Sequence, residues 1–185
     1  MQQSLSLNDL VKENSVRKQA IQIVEQICPD NPTIVEIGAS REFNQKAYQM
    51  DGLITLHLLD MMTRKNGVLL SVDIDPITIY NLTGLFSGHN ASAHCQDGVD
   101  FLIEFEEKID VLVLDSMDVW LPGYKEHHLS LYQAARGNLS EHAVLVLDDI
   151  FPMDNLGKGE LVLPVAIEDG FKYIVQGYTT IMQRR

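Results

Sequence analysis

The strongest constraint on this chain is a recurring pattern. Short runs rich in β-branched and other apolar residues deliver a carboxylate at, or just beyond, their ends. Longer segments with helical spacing separate them. The runs are Thr33–Ile37 (TIVEI), Val68–Asp73 (VLLSVD), Ala91–Cys95 (ASAHC), Asp110–Asp115 (DVLVLD) and Ala143–Asp149 (AVLVLDD). The first two and last two are nearly continuous in apolar residues, as expected of strands covered on both faces in a parallel sheet. Between them, Ser15–Ile27 places Val16, Ala20, Val24 and Ile27 at helical spacing, and the stretch Cys28-Pro-Asp-Asn-Pro32 stops it. Phe43–Thr63 is helix-like with a break near Asp51-Gly52, and Pro76 suits the first turn of another helix. Lys125–Leu139 puts His128, Leu131, Tyr132, Ala135 and Leu139 on one stripe. At the chain's end, Gly170–Gly177 and Tyr178–Arg184 read as two strands with no helix between them, hence an antiparallel hairpin. The whole predicts an α/β architecture: a doubly wound, mostly parallel seven-stranded sheet with helices on both faces.

Length and charge narrow the function classes. The 185 residues suit a single domain, with residues 1–30 as a helical N-terminal segment and 31–185 as the sheet-bearing core. Two cysteines, Cys28 and Cys95, make no disulfide scaffold. The most apolar stretch, Leu53–Met62, contains His57 and Asp60 and is too short to span a bilayer. Met1–Asn14 is polar and mixed in charge, so a cytoplasmic protein is the expectation. With 26 acidic against 14 basic side chains the net charge is −12, which disfavours nucleic acid as a partner.

Ligands of doubly wound sheets bind beyond the carboxyl ends of the strands. Those ends read Glu36-Ile-Gly38-Ala39-Ser40, Asp73-Ile74-Asp75-Pro76, Gln96-Asp97-Gly98, Asp115-Ser116 and Asp148-Asp149. Acids favour helix N-termini, but that preference accounts for one or two such positions more readily than for a complete set. A dinucleotide site fits poorly. The loop Gly38-Ala-Ser-Arg-Glu-Phe43 lacks G-x-G-x-x-G. Asp73 also lies well beyond the ~20-residue offset of a nicotinamide-site acid.

The series Val35-Glu-Ile-Gly-Ala39, Ser71-Val-Asp-Ile-Asp-Pro76, Asp110–Asp115 and Val144–Ile150 resembles the Rossmann-like S-adenosylmethionine-dependent methyltransferases. Within that class it is most similar to the small catechol O-methyltransferase-like enzymes, from about Thr33 to the C-terminus. The resemblance implies methyl transfer to a hydroxyl of a small-molecule acceptor. It places the methionine part of the cofactor on the loop at Glu36, Gly38, Ala39 and Ser40. Asp73 and Ile74 then face the ribose, Asp97 and Gly98 the adenine, and Asp115 and Ser116 close the site. Asp97 suits equally well the N-cap of the helix containing Phe101 and Leu102. Asp75, next to Pro76, reads as a cap.

The same resemblance places a divalent metal such as Mg²⁺ on Asp115, Asp148 and Asp149, although Asp149 stands where catechol O-methyltransferase has Asn. Three oxygen donors suit such a hard cation, whose work would be to acidify and orient the acceptor hydroxyl. The sequence departs from the family twice: Arg41 and Glu42 replace expected glycines, and no lysine follows Asp115 before Lys125. Asp115 and His127 are therefore the candidate catalytic groups, with His128 a weaker one. Without the metal, the alternatives are methyl transfer to another nucleophile, or a binding domain that transfers nothing. The loop Trp120–Tyr124 suits a pocket wall. Phe151–Gly159 reads as a mobile rim, and Gly157-Lys158-Gly159 as a weak phosphate-binding pattern. The exposed hairpin edge suits a homodimer.

Overall fold

Strands flanked by helices on both faces need apolar side chains in both directions, and this sequence supplies them. A computed structural model describes residues 16–43, 53–151 and 156–185. Its strands are β1 (Thr33–Ile37), β2 (Val68–Asp73), β3 (Ala91–Cys95), β4 (Ile109–Leu114) and β5 (Leu139–Leu147). They are followed by the short pair β6 (Ile150–Phe151) and β7 (Leu156–Gly157), then β8 (Phe171–Val175) and β9 (Thr180–Arg184). Seven of them form one sheet in the order β3-β2-β1-β4-β5-β9-β8. β1 to β5 are mutually parallel, and β9 runs antiparallel to both neighbours, β5 and β8. The expected seven-stranded sheet and its closing hairpin are both present.

Alternate residues of each central strand serve opposite faces. Ile34, Val111, Val113, Val144 and Val146 pack under α1 (Val16–Ile27), α2 (Ile54–Lys65) and α3 (Pro76–Leu85). Val35, Leu112, Leu114, Leu145 and Leu147 pack under α4 (Gly98–Glu104), α5 (Tyr124–Ala135) and α6 (Val162–Glu168). Burying each such side chain contributes about 1.5–3 kcal/mol, so the two apolar layers hold the sheet between them.

Several boundaries differ from expectation. β5 begins at Leu139 rather than Ala143, because Glu141 and His142 are exposed while remaining strand. α5 accordingly stops at Ala135. The helix expected over Phe43–Thr63 is observed as Ile54–Lys65, and residues 44–52 lie outside the described residues. So do residues 1–15 and 152–155. The segment read as a mobile rim is corrected in its second half. Ile150–Phe151 pairs with Leu156–Gly157, and Gly157, Lys158 and Gly159 are buried.

The sheet reverses its winding between β1 and β4, and this reversal opens the crevice above the strand ends. Gly38 sits there with φ +87°, and its N–H donates to Val72 O at 2.9 Å. A Cβ on Gly38 would lie 2.4 Å from Ser116 Cα and N. The glycine is thus required for the ends of β1 and β4 to meet, a different reason from the close cofactor approach that the sequence suggests. Gly38→Ala combines a left-handed backbone with a backbone overlap, and should cost about 2–4 kcal/mol. That corresponds to a thermal midpoint lower by roughly 5–15 °C, measured by calorimetry.

Candidate active site

Loop 38–40 is held from beneath by a buried polar chain. Ser40 N–H donates to Thr55 Oγ1 at 2.8 Å, and Thr55 Oγ1–H donates to Glu36 Oε1 at 2.8 Å. Ser71 Oγ–H donates to Glu36 Oε2 at 2.5 Å. Glu36 is fully buried. Burial pushes its carboxyl up to about 8, against the two hydroxyl bonds that favour the anion. Glu36 therefore touches no open cavity. Placed by sequence among the cofactor-binding residues, it instead positions the loop.

On the other side of that loop lies a cavity of about 350 Å³. It is lined by Gly38, Ala39, Asp73, Ile74, Asp97, Gly98, Asp115 and Ser116 from the expected set, and by Arg41, Asp118, Leu121 and His127. Asp73 accepts the N–H of Ala39 on Oδ2 at 3.1 Å and that of Asp75 on Oδ1 at 2.9 Å. Asp75 is the N-cap of α3, accepting from Ile77 and Thr78 N–H. Asp97 caps α4 through Val99 and Asp100 N–H while it also lines the cavity, so both readings of it describe its surroundings. His127 Nε2 lies 3.0 Å from Ser116 Oγ, and burial lowers its pKa against the pull of Asp97. His128 is fully buried with Nδ1 2.6 Å from Tyr124 O, and burial lowers its pKa to about 4.

A second cavity, of about 360 Å³, adjoins the first. The two share Ala39, Arg41, Asp115 and Asp118, and Arg41 pairs with Asp118 at 3.7 Å. Ser40 lines the second cavity and not the first. Trp120, Phe151 and Tyr178 give it aromatic walls. Trp120 is 75% exposed, so it serves as a wall and not as an anchor into the core.

The floor of this second cavity is a buried charge network. Asp115, Asp148 and Asp149 each offer an oxygen within 4.8 Å of the others. Two cations already hold them. Lys158 Nζ lies 2.6 Å from Asp115 Oδ1 and 2.9 Å from Asp149 Oδ2. Arg17 Nε donates to Asp148 Oδ2 at 2.7 Å, and its NH2 lies 2.5 Å from the same oxygen. Thr179 Oγ1–H donates to Asp148 Oδ1 at 2.5 Å, and Tyr178 OH donates to Asp149 Oδ1. Burial alone would lower the Lys158 ammonium, but Asp115 and Asp149 outweigh it and hold it above its ordinary value. Burial pushes Asp115 up, with Lys158 opposing and Asp148 reinforcing the shift.

The expected metal triad is therefore brought together, but its donors do not fit a divalent cation. Mg²⁺ demands oxygens free to approach to about 2.0–2.1 Å in an octahedron, and larger divalent ions need still more free oxygens. Five of the six oxygens are committed to an ammonium, a guanidinium and two hydroxyls. Sequence reasoning read Lys158 only within a weak phosphate-binding pattern, where the structure instead pairs it with Asp115 and Asp149, and it did not single out Arg17. The one available signal was the pair of glycines around Lys158. Gly157 has φ +139°, and a Cβ there would lie 2.3 Å from Asp149 O. The chain thus folds back tightly over β5's end and carries the lysine into the triad.

No protein-family model matches the chain, and no curated protein does. Solved structures match it over nearly its whole length. The T. thermophilus 16S rRNA N2 G1207 methyltransferase, in complex with AdoMet and guanosine, has TM-score 0.63 at 15% identity, covering 94% of this chain and 44% of that one. NSun6 from Pyrococcus horikoshii has TM-score 0.67 at 13% identity, covering 92% and 52%. A TehB-like SAM-dependent methyltransferase from Corynebacterium glutamicum has TM-score 0.61 at 16% identity, covering 96% and 93%. The fold is that of these solved structures, two of which are named as methyltransferases. The chain spans about half the length of the first two and nearly all of the third. Among the described residues no helix is long and apolar enough to cross a membrane.

Glu36 gives this methyltransferase-like fold a pH signature. Between its usual 4.5 and about 8, the folded state retains a proton that the unfolded chain releases. Stability should therefore fall as pH rises through that window. Glu36→Gln should flatten the fall, read as thermal midpoints from pH 5 to pH 8 (on the order of the shift window itself). A slope unchanged in the variant would assign the pH dependence to other groups.

Proposed function

We propose that the chain is an S-adenosylmethionine-dependent methyltransferase acting on a hydroxyl of a small, planar acceptor, without a divalent metal. The observation that carries this reading is the pair of adjoining cavities with Asp115 at their junction. The first cavity has the size of a small-molecule site and places Asp73 and Asp97 at the β2 and β3 ends. There the former suits two ribose hydroxyls and the latter an adenine amino group. The second is small and aromatic-walled, and suits a planar acceptor. The likeness of the strand-end sequence motifs to those of catechol O-methyltransferase-like enzymes is the support for a hydroxyl nucleophile.

The cofactor would supply an electrophilic methyl group on a sulfonium. This chain's residues align the partners and handle a proton. Holding the acceptor in line with the C–S bond is the main contribution expected, as in other displacements within a closed site. Asp115, raised by burial, would take the hydroxyl proton while the new O–C bond forms and the C–S bond of the sulfonium breaks, its sulfur leaving as a neutral thioether. His127, on the cofactor side of the junction, holds Ser116 rather than the acceptor. On the floor three carboxyl groups meet two basic residues, an acidic balance that complements a sulfonium.

Because the 16S rRNA enzyme is a solved neighbour of similar fold, an exocyclic amine of a nucleic-acid base is the second acceptor reading. The charge of −12 counts against it.

Calorimetric titration tests the proposal. S-adenosylmethionine and S-adenosylhomocysteine should both bind. Asp73→Ala should weaken them about ten- to a hundredfold, the loss of a charged hydrogen-bond acceptor of roughly 1.5–3 kcal/mol. Failure of the wild-type protein to bind either ligand overturns the reading. Methyl transfer to hydroxylated aromatics that persists in EDTA supports it in full, whereas transfer to RNA alone selects the second acceptor.

A further inference from the structure

We propose that Lys158 is a tethered cation standing in the metal position, which closes the Asp115–Asp148–Asp149 triad to divalent ions. The inference rests on how the carboxylate oxygens are spent. Of the six, Asp115 Oδ1 and Asp149 Oδ2 accept from Lys158. Asp148 Oδ2 accepts from Arg17, Asp148 Oδ1 from Thr179 and Asp149 Oδ1 from Tyr178. Among the described residues, only Asp115 Oδ2 has no donor. An entering metal would have to evict these donors and strip the ammonium of both its carboxylate partners. Lys158 is 1% exposed, and a buried charge stripped of its partners costs several kcal/mol.

Its backbone is fixed as well. Lys158 N–H donates to Asp149 O at 3.3 Å, directly after the β6–β7 pairing of Ile150 with Gly157. A Cβ on Gly159 would lie 2.6 Å from Ile150 Cδ1. The lysine is bracketed by two residues that cannot carry a side chain without displacing their neighbours. The same carboxylates that would hold a metal in a related enzyme thus spend five of their six oxygens on side chains of this chain. The cation is a single charge delivered by hydrogen bonds, and the acceptor meets an ammonium at this place.

The test reads metal binding directly, so its outcome does not depend on whether S-adenosylhomocysteine binds. The full chain is titrated with Mn²⁺, and free ion is followed by electron paramagnetic resonance. The wild-type protein should leave the free-Mn²⁺ signal unchanged into the millimolar range. Lys158→Ala and Lys158→Met, which remove the ammonium, should bind Mn²⁺ at least tenfold more tightly than wild type, and Asp149→Asn added to either should abolish that gain. Lys158→Arg should stay closed. Circular dichroism establishes that each variant is folded. Wild-type Mn²⁺ binding that Asp149→Asn releases overturns the proposal, and so does a folded Lys158→Ala or Lys158→Met that binds no better than wild type. Should neither variant fold, the wild-type titration decides alone: Mn²⁺ bound at Asp149 refutes the inference and its absence upholds it.

Discussion

The parallel pairing of β1 with β4 is the constraint on which the remaining structure depends. Ile37 pairs with Leu114 there and with Val72 on its other side. From that axis the chain winds outward in both directions, so its helices fall on opposite faces and the strand ends gape between them. The backbone contact at Gly38 fixes how closely the two strand ends meet. Above it stand both cavities, and Asp115, which follows the last residue of β4, reaches each of them. A shift in this one pairing would separate the loop that Glu36 supports from the acid it is meant to face.

Above the axis the molecule manages charge in two ways. Glu36 is buried with hydroxyl donors alone, and its carboxyl holds its proton to high pH. The three aspartates are instead neutralised in part by Arg17 and Lys158, which come from opposite ends of the chain. The −12 of the whole sequence gives no hint of this local balance. Deleting one member of such a network leaves its partner buried and unpaired, which is costlier than the net worth of the pair.

The strands were legible because they follow a simple physical rule: Thr33–Ile37, Val68–Asp73 and Ala91–Cys95 appear as read. The acids at their ends were legible for the same reason, since the topology rule tells where strand ends lead. What the sequence could not reveal arises from distance along the chain. Lys158 meets Asp115 across 43 residues and Arg17 meets Asp148 across 131. Nothing local to Arg17 announces a partner, and the glycines flanking Lys158 signal only a tight fold-back of the chain. The two-residue strands β6 and β7 are likewise too short for any periodicity. The early start of β5 was hidden because its exposed Glu141 and His142 read as loop. Glu36 was read as a ligand-facing acid because a pattern of residue types carries no sign of the Thr55 and Ser71 hydroxyls that enclose it.

The two cavities are built from different parts of the chain. Among the described residues, the first is lined by residues from Ile37 to His127 alone, whereas the second also takes Arg17, Asp149, Phe151, Lys158 and Tyr178. The consequence is modularity. Substitutions accumulating in the first helix or in the closing stretch can remodel one chamber while the other keeps its lining. A lineage carrying this architecture can reshape the second chamber independently of the first, because the residues that distinguish the two are written in separable lengths of sequence.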